Sequence, residues 1–192
     1  MSRPTAARKA PKGEYIETDS GNKVSRKAHI SGTANITLGG KTVIMADVHL
    51  RGDLHRLKTS HTSSDATGEG GNRGQLSYYP MKIGDNVFVG AGSHISAASI
   101  SSHVHVGEGC ILEPFCIVRD NVKILPRSVV PANMVIPSNS IAGGRPARVV
   151  GELGEGWGVA AGGGGGGEGG PMGQGEVWVE GGDLRELVRS VK

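Results

Sequence analysis

From residue 83 to residue 136 an aliphatic side chain returns every six positions. The series is Ile83, Val89, Ile95, Ile100, Val106, Leu112, Val118, Ile124, Val130 and Ile136, with one residue missing between Ile95 and Ile100. A helix face repeats near 3.6 residues and an ordinary strand near 2, so neither has this period. The residue four places after each aliphatic is mostly small or slender: Val87, Ser93, Ser99, Val104, Cys110, Cys116, Val122, Ser128, Met134 and Ser140. The residue three places after it includes Asn86, Gly92, Gly109, Asn121, Asn133 and Asn139, types that tolerate a positive φ at a tight bend. Each hexad therefore reads as a short strand with two inward residues, followed by a corner. Three strands make one triangular coil of about 18 residues, and stacked coils make a parallel β-helix. Ile100, Val118 and Ile136 should form one interior ladder, Val106 and Ile124 a second, and Leu112 and Val130 a third. Val118 is expected inside and Lys123 outside.

The pattern extends upstream. Val24, Ile30 and Ile36 keep the spacing, with Ala28 and Ala34 in the slender column. After a two-residue shift near Gly39-Gly40, Leu38, Ile44 and Leu50 continue, with Thr42 and Val48 inside. Residues 58–80 lose the period and are expected as a loop ejected from the stack, since solenoids carry insertions without breaking their core. Aromatic residues are only 4% of the chain, so the core must be aliphatic and narrow.

The reading is an all-β prism over 14–150 between two tails. Residues 1–13 hold Arg3, Arg8, Lys9 and Lys12 without an acid and read as a solvated, disordered basic tail. Residues 151–182, with the unbroken glycine run Gly162 to Gly167, read as a flexible linker. In 183–192, Asp183 is a candidate N-cap and Glu186 completes a capping box. Leu184, Leu187, Val188 and Val191 then share one face of a short amphipathic helix. Ten residues are marginal for an isolated helix, so this one should dock on the prism or on a partner. No apolar run approaches the roughly 18 residues needed to cross a bilayer, and the N-terminal stretch has no hydrophobic h-region, so nothing in it marks secretion. Two cysteines make no disulfide framework, which fits a reducing, intracellular compartment. Arg51-Gly52-Asp53 is accordingly not read as an extracellular adhesion motif.

Candidate chemistry is sparse. His103 and His105 flank inward Val104 and should point outward, exposed and without a third metal ligand. His94 is placed at the surface beside a bend, and His29, His49, His55 and His61 show no ligand spacing. Cys110 and Cys116 fall in the inward slender column and read as packing residues. No Ser/His/Asp nucleophile motif is present. The segments "VHLRGDL" and "IGDNVFVGAGSHISAASI" resemble the gamma-class carbonic anhydrase family, with Arg51 and Asp53 on its structural ion pair. Two zinc ligands of that family fall on Ala91 and Ser96, and neither can replace imidazole on zinc. "IAGGRPARVV" resembles the closing segment of hexapeptide acyltransferases, where a turn and a proline cap the last coil.

A closer resemblance is carried by "YIETDSGNKVSRKAHISGTANITLGGKTVIMADVHLRGDL", "YYPMKIGDNVFVG" and "SSHVHVGEGCILEPFCIVRDNVKILP". Over residues 14–153 the chain is similar to the dynactin subunit 5 family. That resemblance implies a left-handed β-helix in the dynactin pointed-end complex, in the cytoplasm and on the cytoskeleton. It implies dynactin subunit 6, dynactin subunit 4 and a pointed-end actin-related protein as partners, with attachment of dynein cargo adaptors as the role. It implies no catalysis, cofactor, metal, nucleic acid or membrane insertion; the alternative is a hexapeptide-repeat enzyme. Paired tyrosines where the long loop rejoins the prism combine apolar area with a hydrogen-bonding tip, so Tyr78, Tyr79 and the loop residue Arg73 are the candidate partner-binding residues. The competing expectation is that both rings pack down on the returning strand.

Overall fold

In the computed structural model, residues 14–58 and 75–153 are described. They form a left-handed parallel β-helix with three flat faces. The first face has eight strands. Its order is Tyr15–Glu17, Lys23–Ser25, Val43–Ile44, Phe88–Val89, Val104–Val106, Val122–Ile124, Ser140–Gly144 and Ala147–Glu152. The second face stacks His29–Ser31, His49–Arg51, His94–Ile95, Ile111–Leu112 and Val129–Val130. The third stacks Ile36–Leu38, Met81–Ile83, Ser99–Ile100, Ile117–Val118 and Val135–Ile136. The short antiparallel strands Tyr15–Glu17 and Ala147–Glu152 close the two ends of the first face. The amphipathic segment 183–192, the basic tail and the glycine run lie outside the described residues.

The ladders follow the hexad arithmetic. Ile100 pairs with Val118 and Val118 with Ile136; Val106 pairs with Ile124, and Leu112 with Val130. All seven are at most 1% exposed, so the apolar interior is continuous from coil to coil. Burying each such side chain contributes about 1.5–3 kcal/mol. The corners also follow the sequence. Asn86, Asn121, Asn133 and Asn139 have φ between 53° and 60°, and Gly92 and Gly109 have 65° and 62°. His103, Phe115 and Arg127 occupy the same corner position with φ of 58°, 64° and 59°; histidine is among the residues enriched there, whereas nothing in the chemistry of Phe115 or Arg127 favours it.

Three details differ from the periodic reading, each where a corner changes length. The upstream shift falls at the 3-10 turn Thr33–Asn35, earlier than Gly39-Gly40. The turn lifts Ala34 to the surface, and Ile36 takes its inward place in register with Met81. The missing residue before Ile100 has a similar effect: Ala97 is fully buried, whereas Ser99 is only half-buried. Finally, Gly52 sits under the added turn. A Cβ there would lie 2.3 Å from Ile36 Cγ1 and 2.6 Å from the Gly32 carbonyl oxygen. The Arg51-Gly52-Asp53 glycine is thus a packing requirement of the coil.

Lys123 stands on the outer side of its strand, as expected, but half-buried beside His105. A cleaner test of inside against outside is the neighbouring pair Val135 and Ile136, which are 49% and 0% exposed. Ile136→Asp buries an unpaired charge and should cost about 3 kcal/mol or more, while Val135→Asp should stay within about 0.5 kcal/mol. Urea melts of the two variants measure this directly, and equal losses would overturn the register.

Candidate docking surface

The long insertion leaves the prism just after Leu54, which is buried against the coil. His55–Lys58 and Gln75–Tyr78 pair as an antiparallel ribbon, with His55 opposite Tyr78 and Lys58 opposite Gln75. The departure therefore begins at His55, three residues before the hexad pattern fails, because paired strands preserve local alternation while leaving the stack. The N–H of Tyr79 donates to the Leu54 carbonyl at 2.8 Å and ties the base of the ribbon.

The ribbon is seated on a corner of the prism by Arg56. Its guanidinium carbon lies 4.0 Å from the centroid of the Phe115 ring and 5.9 Å from that of Tyr79. Tyr79 meets Phe115 edge to face, with centroids 5.5 Å apart and planes at 89°. An Arg56 Nη2 hydrogen bond to the Asn133 side-chain oxygen completes the seat. A cation over an aromatic face contributes about 0.5–1 kcal/mol when exposed and more when desolvated. The two tyrosines stand in different settings. Tyr79 is half-buried and packs down; Tyr78 is 57% exposed, with the His55 ring 5.9 Å from its own. Arg73 lies outside the described residues. Sequence reasoning missed Arg56 and Phe115, although an aromatic in a corner column otherwise rich in Asn and Gly was a signal.

A second feature stands on the outside of the second face. His29, His49 and His94 each immediately precede an inward aliphatic of that face, so their rings stack. Centroids are 4.7 Å apart from His29 to His49 and 4.5 Å from His49 to His94, with planes within 15°. The stack lines a cavity of about 320 Å³ together with Ile30, Ser31, Leu50 and Arg51. Linear spacing hides this group; only the coil register brings the three together.

His105, Cys110 and Cys116 are packing elements. His105 is covered, contrary to the exposed position expected for it. It stacks on Phe88 with centroids 4.8 Å apart, and its Nδ1 is buried without a hydrogen-bond partner. Burial, reinforced by Lys123, pushes its pKa down to about 4. His103 is half-buried at its corner, its Nε2 lying 3.3 Å from the Asn86 amide. Cys110 and Cys116 are free and buried; burial raises both thiols, Cys116 to about 12, so neither is a reactive thiolate. Arg51 pairs with Asp53 at 3.3 Å in an exposed setting. Ser96 is buried and Ala91 half-buried at the positions where zinc ligands would stand. Among the described residues no group of three or more His, Cys, Asp or Glu is arranged to hold a metal ion. None of the helices there is long and apolar enough to cross a membrane.

Comparison with known proteins places this geometry. The family model for dynactin subunit 5 matches residues 8–158. The dynactin subunit 5 of Dictyostelium discoideum is 45% identical over 97 residues, which cover 47% of this chain and 49% of that one. The mitochondrial gamma carbonic anhydrase 2 of Arabidopsis thaliana is 34% identical over 74 residues, covering 38% of this chain and 27% of that one. These matched stretches span half or less of the curated relatives. Among solved structures, a hexapeptide-repeat acetyltransferase from Vibrio cholerae has a TM-score of 0.50 at 17% identity, covering 69% of this chain and 70% of that one, and shares the fold alone.

Two measurements test the site's chemistry. Tyr79→Ala should lower stability by about 1–2 kcal/mol through lost ring contacts, and Tyr78→Ala by less than about 0.5 kcal/mol. Thermal melts that fail to separate the two would contradict the seat. His105 gives a pH dependence. Its folded pKa of about 4 lies below the ordinary 6.5, so the neutral form is the one the fold favours. The contribution is present above about pH 6.5 and is lost as pH falls towards 4, by up to roughly 3 kcal/mol. His105→Gln should flatten the stability profile across that window in urea titrations at stepped pH.

Proposed function

The chain belongs to the dynactin subunit 5 family, and we propose that it works as a non-catalytic structural subunit of the dynactin pointed-end complex. The observation that carries this reading is the extent of the family match. Residues 8–158 take in every described strand, from Tyr15–Glu17 to Ala147–Glu152, and the Arg56 seat with them. The prism would join dynactin subunit 6, dynactin subunit 4 and a pointed-end actin-related protein, and contribute to attachment of dynein cargo adaptors in the cytoplasm, on the cytoskeleton.

The physical features suit a scaffold. At one end of the second face, His29–Ser31 is an edge strand with all three residues exposed, and such an edge needs a cap or a partner. The ribbon presents Tyr78 away from the prism while Arg56 and Tyr79 hold its base. Tyr78, together with the loop residue Arg73, is the proposed partner contact; Tyr79 serves the seat. The acyltransferase alternative draws on the fold alone, and the anhydrase alternative on a partial sequence match of 38% of the chain in which Ala91 and Ser96 stand where zinc ligands would be.

Co-expression with dynactin subunit 6, followed by pull-down, tests the assignment. The two chains should co-purify, and Tyr78→Ala should weaken capture by about tenfold, equivalent to about 1.4 kcal/mol, without lowering the melting temperature. Removal of residues 60–74 should do the same. Unchanged capture by both variants would take the ribbon out of the mechanism. Failure to co-purify at all, or acetyl transfer from acetyl-coenzyme A by the purified chain, would overturn the scaffold reading.

A further inference from the structure

We propose that the stacked histidines His29, His49 and His94, with Arg51, form a binding site for a phosphate-type oxyanion on the outer side of the second face. Three observations converge on it. The imidazoles rise one per strand at 4.7 and 4.5 Å, so their edges present a row of N–H groups at the spacing of the sheet itself. The row opens on a cavity of about 320 Å³, large enough for a phosphate group and part of what carries it. Its lining holds one fixed charge, the Arg51 guanidinium, and no carboxylate.

The balance of charges around the row can be stated strand by strand. His29–Ser31 contributes His29 and the Ser31 hydroxyl. His49–Arg51 contributes His49 and Arg51, and His94–Ile95 contributes His94. The next strand, Ile111–Leu112, places uncharged Ile111 in register with His94. Asp53 holds Arg51 through Nε at 3.3 Å and Nη2 at 3.4 Å, an exposed and long-armed pair that leaves other guanidinium donors free. Neighbouring donors about 4.6 Å apart can straddle two oxygens of one anion. A carboxylate offers two oxygens; a phosphate offers a third to the guanidinium, whose forked geometry suits it. A metal ion fits less well, because nearly parallel rings keep their in-plane lone pairs from converging on one point.

The test is an imidazole nitrogen NMR titration of the full chain with inorganic phosphate at one fixed pH, chloride replacing phosphate at equal ionic strength as control. The expected result is saturable movement of the His29, His49 and His94 signals, with His103 and His55 still. His49→Phe keeps a flat ring in the stack and removes its N–H groups; it should abolish saturation while the melting temperature stays within a few degrees. A phosphoserine peptide run alongside distinguishes the source: binding tighter than inorganic phosphate assigns a phosphorylated partner, and equal binding assigns the free anion. No saturation, equal response to chloride, or undiminished binding in His49→Phe would overturn the site. These readouts involve neither Tyr78 nor a dynactin partner, so they stand or fall apart from the assignment above.

Discussion

The structure depends on what happens at the corners of the triangle. A residue held at positive φ turns the chain through the bend and aims its N–H at the coil before it. Asn121 donates to the Ser102 carbonyl, Asn139 to Asp120, Gly109 to Ala91, Arg127 to Glu108 and Asn133 to Pro114, at 2.8–3.1 Å. These bonds stitch successive coils at the vertices, where no strand pairing reaches. They also fix the length of each side, and hence which two residues point inward. Because the interior is narrow, it accepts one branched aliphatic and one slender residue per side; the ladder Ile100, Val118, Ile136 and the column Cys110, Cys116 are consequences of that width.

This explains how much could be read from the sequence. Wherever corners keep their length, the hexad count gives face, register and the interior aliphatic ladders, from Val104 to Ile136. The count fails where a corner is lengthened by Thr33–Asn35 or shortened before Ile100, since a change in bend length is not written in hydrophobicity. It fails again on the outer surface. Whether an outward residue is covered depends on its neighbours in adjacent coils: His105 is covered beside Phe88, while Ile111 stays 39% exposed. The docking features are less legible still. Tyr78 and Tyr79 stood out as a pair, but nothing in their adjacency says that one seats the ribbon and the other faces water. The three stacked histidines are separated by 20 and 45 positions and become neighbours only through the register of the coils.

The division of labour between core and surface bears on function. A prism whose interior is filled by ladders has no internal cleft to offer a substrate, so chemistry or recognition must be placed on faces, edges and insertions. Here the second face carries the imidazole row, the exposed edge strand His29–Ser31 marks one end of that same face, and the ribbon rises from the corner that follows it. The family's place in a multi-subunit assembly sits comfortably with a body that displays its aromatic groups outward and fills its interior chiefly with aliphatic and small side chains.

The Arg56–Asn133 contact joins residues 77 positions apart. During synthesis on the ribosome, the ribbon therefore emerges well before either Phe115 or Asn133 exists to receive it. For the time taken to translate those residues, several seconds at about 5–20 residues per second, Arg56 and Tyr79 have no seat. The first coils must close with the insertion still unseated, and the ribbon settles only when later coils have wound past it. A chain truncated before Asn133 would possess the ribbon's sequence and the early prism, yet lack part of the surface that gives the ribbon its orientation.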